Sequence, residues 1–271
     1  GGGGGGGDGG GDDASATLRE SLDAPSEALR LSAAIELGRA GQVEALLADL
    51  REKADRGRRQ FLAAADTWAE GDAPPAWPEG FYGARWLVGS AHAGLAAAGV
   101  EAAEAVGALL DPKAEPWWVR AAAARALAEM GRDSAPAAGA LRDALADPDE
   151  WVASSAAEAL GCHGPSTDGV SETALARALL DPPVRPRRWP HGRSRMHGQW
   201  PLVALAKLAG QPGWRRLPPD ALATVGAALA AAAGEYDASG SEPPPSGPAW
   251  WAALAARRGS GAAQKSPGSW F

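Results

Sequence analysis

The stretch that decides the fold begins Leu109-Leu110-Asp111-Pro112 and continues Trp117-Trp118-Val119-Arg120-Ala121-Ala122-Ala123-Ala124-Arg125-Ala126-Leu127, reaching Met130 and Gly131. After another helical run it resumes as Leu145-Ala146-Asp147-Pro148, then Trp151 to Leu160 and Gly161. One unit is written twice. The Asp-Pro pairs start at 111, 147 and 181, intervals of 36 and 34 residues. A period in the mid-thirties is the length of a helix-turn-helix unit, too thin to bury its apolar face alone and stable only when stacked on copies of itself.

Within the unit, a first-type helix leads into the Asp-Pro turn and a second-type helix follows it. Asp147-Pro148-Asp149-Glu150 reads as an acidic N-cap, a proline at the first helical position and a glutamate closing a capping box. In the helix after it, Val152, Ala156, Ala159 and Leu160 share one stripe. Thirty-three positions earlier Val119, Ala123, Ala126 and Leu127 repeat that stripe. Small alanines let neighbouring helices approach while Val and Leu fill the remaining volume. Glycines 131 and 161 are expected to stop their helices.

The Trp118 to Leu127 run, with Leu-Leu-Asp-Pro before it and a glycine after Glu129-Met130, resembles a HEAT repeat, closest to the bacterial type also called PBS-lyase HEAT-like repeats. The resemblance implies an all-α fold, an α-solenoid of stacked antiparallel helix pairs with about five degenerate repeats. It also implies a ladder between the inter-helix turn and the second helix, with Asp111 and Arg120 as members; Ala153 interrupts it in the second copy. Two copies match strongly, and weaker ones cover most of residues 25 to 258.

Working outward toward the N-terminus, residues 1–16 are Gly- and Asp-rich and are expected to be a disordered tail, since nothing there repays the entropy of ordering. With no initiating methionine, the chain is expected to be a fragment, a processed form or a partial gene model. The solenoid is expected over 17–258. Ser26 to Leu37 reads as the second-type helix of a first repeat, with Leu29, Ala33 and Leu37 on its stripe and Gly38 at its stop. A longer helix is expected from Gln42 to about Trp68; its charged middle, Arg51 to Arg59, reads as a solvated face. Gly57 is a point where it can bend or divide. The prolines between Gly71 and Gly80 mark a loop. Gly83 to Ala98 then gives another second-type helix, and Val100 to Leu110 a short first-type one.

Toward the C-terminus, Ser171 to Leu180 is a first-type helix, and Asp181-Pro182 ends it on schedule. The next helix is delayed by an insertion at 183–198 carrying Arg185, Arg187, Arg188, Trp189, Arg193 and Arg195, a basic patch on an acidic chain. Its prolines forbid a continuous helix, and a solvated loop is the favoured reading over contact with a partner or nucleic acid. Trp200 opens a second-type helix and Leu217 to Gly234 forms a first-type one. Residues 237–248 read as a Ser/Gly/Pro linker, Trp250-Trp251 lead a final helix to Arg258, and 259–271 form a C-terminal tail.

The chain has 271 residues, 45% hydrophobic and 22% charged, with net charge −7. That composition suits a soluble chain with a sizeable core. No apolar run is long enough for a transmembrane helix. Cys162 is the single cysteine, which rules out an intrachain disulfide and gives no sign of an oxidising compartment. A cytoplasmic or organelle-interior protein is expected. Catalytic motifs are thin. P-loop, His-Glu-x-x-His, paired Cys-x-x-Cys and Gly-x-Ser-x-Gly signatures do not occur, and Cys162-His163 lacks an orienting third group. None of the four histidines precedes a glutamate, which sets aside the metal chemistry of the HEAT-like deoxyhypusine hydroxylases.

Neither metal nor cofactor is expected. The leading expectation is a monomeric, non-enzymatic scaffold or adaptor that grips another protein on a concave face of second-type helices. Trp117, Trp118, Arg120, Trp151, Trp200, Trp250 and Trp251 are its candidate contacts. Stacking against the next repeat is the first role expected of the recurrent tryptophans, and one of each Trp pair is left over as an exposed anchor. A bilin or chromophore lyase-like role is the alternative that the subfamily resemblance implies. Nucleic-acid binding through the insertion comes third, disfavoured by the acidic balance.

Overall fold

The structure is a computed structural model that describes residues 9–66, 89–180 and 200–238, apart from 210 and 212. In chain order the helices are α1 Gly9–Ser21, α2 Glu27–Arg39, α3 Val43–Asp66, α4 Ala91–Ala98, α5 Val100–Ala108, α6 Trp117–Met130, α7 Ala138–Ala144, α8 Glu150–His163, α9 Val170–Leu180, α10 Trp200–Ala209 and α11 Pro219–Ala238. Short 3-10 segments occupy Gly131–Ala137 and Trp214–Arg216. Among the described residues there is no strand. The insertion at 183–198, the loop at 71–80 and the segment from 239 to the C-terminus lie outside the described residues.

The chain forms two compact units, Gly1–Ala137 and Ala138–Phe271. In the first unit the second-type helices α2, α4 and α6 lie side by side; α3, α5 and the Gly131–Ala137 segment form a second layer. In the second unit α8 packs on α10, and α9 packs on both α7 and α11. Leu37, Leu46, Leu50, Leu95 and Leu127 are fully buried in the first unit, and Leu141, Leu160, Leu175, Leu205 and Leu208 in the second. Each such leucine contributes about 2 kcal/mol of burial.

Alanine sets the helix spacing. In α6 every residue from Val119 to Ala128 is buried, Arg120 and Arg125 included. Arg125 is neutralised within its own helix by an ion pair with Glu129, one turn on. Gly131 ends α6 as expected, with φ of 58°.

The two other glycines read as stops have a different job. Gly38 lies inside α2, where an added Cβ would overlap the Gly94 carbonyl of α4 and stand 3.1 Å from Ala98 N. Gly161 lies inside α8, where a Cβ would stand 2.8 Å from Ala204 Cα in α10. Both glycines let backbones touch. The left-handed residues near those helix ends come later, at Gly41 (φ 69°) and Gly164 (φ 91°).

Other boundaries shift for local reasons. The cap of α8 is Asp149, whose Oδ1 accepts from Trp151 N at 2.9 Å; Asp147 Oδ1 accepts from Asp149 N at 2.8 Å. Asp147 therefore shapes the turn, and Pro148 precedes the cap. The run before α7 is 3-10 because Pro136 within it has no amide hydrogen to donate. Helix α1 begins at Gly9, inside the segment expected to be disordered; it packs on α2, and Arg19 donates to Gln42 Oε1 at 2.7 Å. Helix α11 likewise continues through Asp237 and Ala238, the start of the expected linker. Helix α3 passes through Gly57 unbroken. Leu29, expected on the buried stripe of α2, is 58% exposed; Ala33, Ala34, Leu37 and Gly38 carry that helix's packing.

Candidate functional site

Trp117 and Trp118 open α6 half-buried, their rings edge-to-face with centroids 5.8 Å apart and planes at 88°. Trp118 is held on two sides. Its Nε1 donates to Asp55 Oδ1 at 2.5 Å, and the Arg58 guanidinium carbon lies 4.2 Å from its ring centroid. Arg51 places Nε and Nη2 each 2.8 Å from Glu115 Oε1, in the turn before α6. The charged middle of α3, expected to be a solvated face, thus fastens α3 to α6 and its turn. Cation–π contact and charge-assisted bonds of this kind are each modest alone and fix the ring in place together.

Arg120 and Trp151 are not surface residues. Arg120 is 6% exposed and donates through Nη1 to the Glu115 carbonyl at 2.7 Å. Asp111, in the turn before α6, accepts from Lys113 N at 2.9 Å. Trp151 is 9% exposed. Burial takes both out of the set of contact candidates. Trp200 begins α10, but its side chain lies outside the described residues, as do Trp250, Trp251 and the arginines and Trp189 of the insertion. Trp214, not singled out from sequence, is buried.

A cleft in the first unit was not foreseen. It has a volume of about 540 Å³ and is bounded by the α1–α2 turn, α2, α3 and the start of α4. Lys53 projects into it from the packed side of α3, only 8% exposed, with Nζ 2.5 Å from Asp23 Oδ1 and 3.3 Å from Asp49 Oδ1. The two carboxyls respond in opposite ways. Asp23 is held below the usual carboxylate range by the hydrogen bond from Lys53. Asp49 is raised by burial, which outweighs the same lysine, and its Oδ2 is buried without a partner. Gly89, at φ of 56°, lets the lysine stem lie flat, since a Cβ there would stand 2.7 Å from Lys53 Cγ. The sequence did hold a signal. Lys53 adjoins the apolar stripe Leu46, Leu50 and Ala54, a position where a solvated charge is out of place.

In the second unit the neighbours Cys162 and His163 go separate ways. Cys162 Sγ accepts from Lys207 Nζ at 3.6 Å, while His163 Nε2 is buried without a partner. Burial, with Arg142 nearby, pushes the imidazole pKa down to about 4. The adjacent loop is held by Glu172, fully buried, which accepts from Ser166 N at 2.7 Å and from the Ser166 hydroxyl. Among the described residues no three His, Cys, Asp or Glu side chains gather as metal ligands, and no described helix is long and apolar enough to cross a membrane.

Layered second-type helices, with first-type helices behind them and short turns between, define the α-solenoid class. Residues 94–190, from α4 past the end of α9, match the family described as HEAT repeats. That stretch of the chain is built of HEAT repeats. No curated protein matches it in sequence.

Proposed function

We propose that this protein is a binding scaffold or adaptor that holds another protein on the face made by its second-type helices. The observation that carries the reading is direct stacking of one helix type within each unit, α2 on α4 on α6 and α8 on α10. Stacking of that sort presents an extended, rigid surface at little entropic cost on binding, and HEAT repeats generally serve protein interaction. Of the tryptophans, Trp117 is the proposed aromatic contact. It is half-buried at the first turn of α6, its ring held by the edge of Trp118. Chain and partner are proposed to meet as single copies.

The test is affinity capture from an extract of the source cells, with chemical cross-linking to fix stoichiometry. A single protein recovered at one copy per chain, and bound at least tenfold more weakly by Trp117→Ala with an unchanged Tm, is the expected result. Recovery of no stoichiometric partner contradicts the proposal.

A further inference from the structure

In the first-unit cleft one guanidinium carries a charge that no carboxylate among the described residues meets. Arg30 Nη1 donates to the Ala24 carbonyl at 2.7 Å and the Pro25 carbonyl at 3.0 Å, both neutral acceptors. Its neighbours are compensated: Lys53 lies between Asp23 and Asp49, and Arg56 lies 2.6 Å from Glu52 Oε1 and 3.4 Å from Asp23 Oδ1. Among the described residues Nε and Nη2 of Arg30 have no partner. A guanidinium fixed through one nitrogen has already lost its rotamer freedom, and its open edge matches a carboxylate in bidentate fashion.

Two further polar side chains line the same space. His92 lines the cleft and places Nδ1 2.6 Å from the Gly89 carbonyl oxygen. A carbonyl only accepts, so Nδ1 carries the hydrogen, and whenever the ring is neutral Nε2 is the acceptor. Ser90, also in the lining, is 5% exposed, and its hydroxyl has no partner. A volume of about 540 Å³ falls within the span of about 300–1,000 Å³ usual for ligand sites.

We infer that this cleft receives an acidic segment of the partner protein, with a Glu or Asp carboxylate seated on Arg30 and a main-chain amide of the segment donating to His92. The inference rests on the protein-binding reading above and adds the partner's chemistry and its seat. A carboxylate there meets Arg30 head-on and gains from Arg56 at longer range. Glu27, on the rim one turn before Arg30, sets a like-charge limit on how far along α2 the segment can run.

The experiment uses the full chain and a fluorescein-labelled hexaglutamate peptide, followed by anisotropy, with hexaglutamine as comparator. Saturable binding of hexaglutamate is expected, weakening as salt rises. Arg30→Gln is expected to lower affinity at least tenfold and Arg30→Lys less. Arg177→Gln, at an exposed position of α9 in the other unit, is expected to change it less than twofold. Binding of hexaglutamine with equal affinity, no saturable binding of hexaglutamate, or equal losses for Arg30→Gln and Arg177→Gln would overturn the inference. Partner capture by the Arg30→Gln chain separates the two readings. A partner held equally well by wild type and Arg30→Gln defeats the cleft assignment alone, whereas a partner held by neither chain defeats the scaffold reading.

Discussion

His163 ties stability to pH through a single side chain. Its folded pKa is about 4, lowered by burial first and by Arg142 second, against 6.5 for the free side chain. The unfolded chain therefore takes up the proton first as pH falls. Stability held by the neutral ring is complete above about pH 6.5 and drains away toward pH 4, by about 3 kcal/mol at most. His163→Gln is expected to flatten that part of the curve, so thermal melts of the two chains between pH 7 and 4.5 should diverge; parallel melts contradict the assignment. The tryptophans make a second case. Trp118→Ala is expected to cost about 2–3 kcal/mol in denaturant unfolding through loss of the ring's packing and its bond to Asp55, while Trp117→Ala should cost well under half of that. Recurrence in the sequence marked Trp118, and its pairing with Trp118 marked Trp117. It did not separate their roles, because the residues that hold Trp118, Asp55 and Arg58, lie some sixty positions upstream.

Among the elements, glycine decides how closely helices meet. Gly161 and Gly226 are both helical, yet a Cβ at Gly161 runs into Ala204 Cα at 2.8 Å, and a Cβ at Gly226 meets nothing within 4 Å. Opposite signs follow. Gly161→Ala is expected to destabilise by about 1–3 kcal/mol through overpacking, and Gly226→Ala to stabilise by about 0.5–1 kcal/mol through helix propensity. Equal shifts in the urea midpoint would refute the close-contact account. Capping gives a smaller test. Asp149→Ala is expected to cost about 1 kcal/mol, and Asp111→Ala less, since the Asp111 bond to the Lys113 amide is exposed and that of Asp149 to Trp151 is buried. Helix positions were legible because the apolar stripe repeats. Their ends were not, because a glycine that stops a helix and one that lets a neighbour in look the same in one dimension.

At the scale of the whole chain, the fold was legible from a count, the spacing of three Asp-Pro pairs. The site was not. Its cleft is assembled from Asp23, Arg30, Lys53 and His92, on four separate segments, each unremarkable where it stands in the sequence. Of the candidates within the described residues, Arg120 and Trp151 are interior, Trp118 is held by α3, and Trp117 is the proposed contact. A scaffold gripping its partner on second-type helices should show that grip in amide hydrogen exchange, measured on the chain alone and again saturated with the captured partner. Slowed exchange in second-type helices of at least one unit, with α9 and α11 unchanged, is the predicted result; slowing confined to first-type helices, or none anywhere, would contradict it.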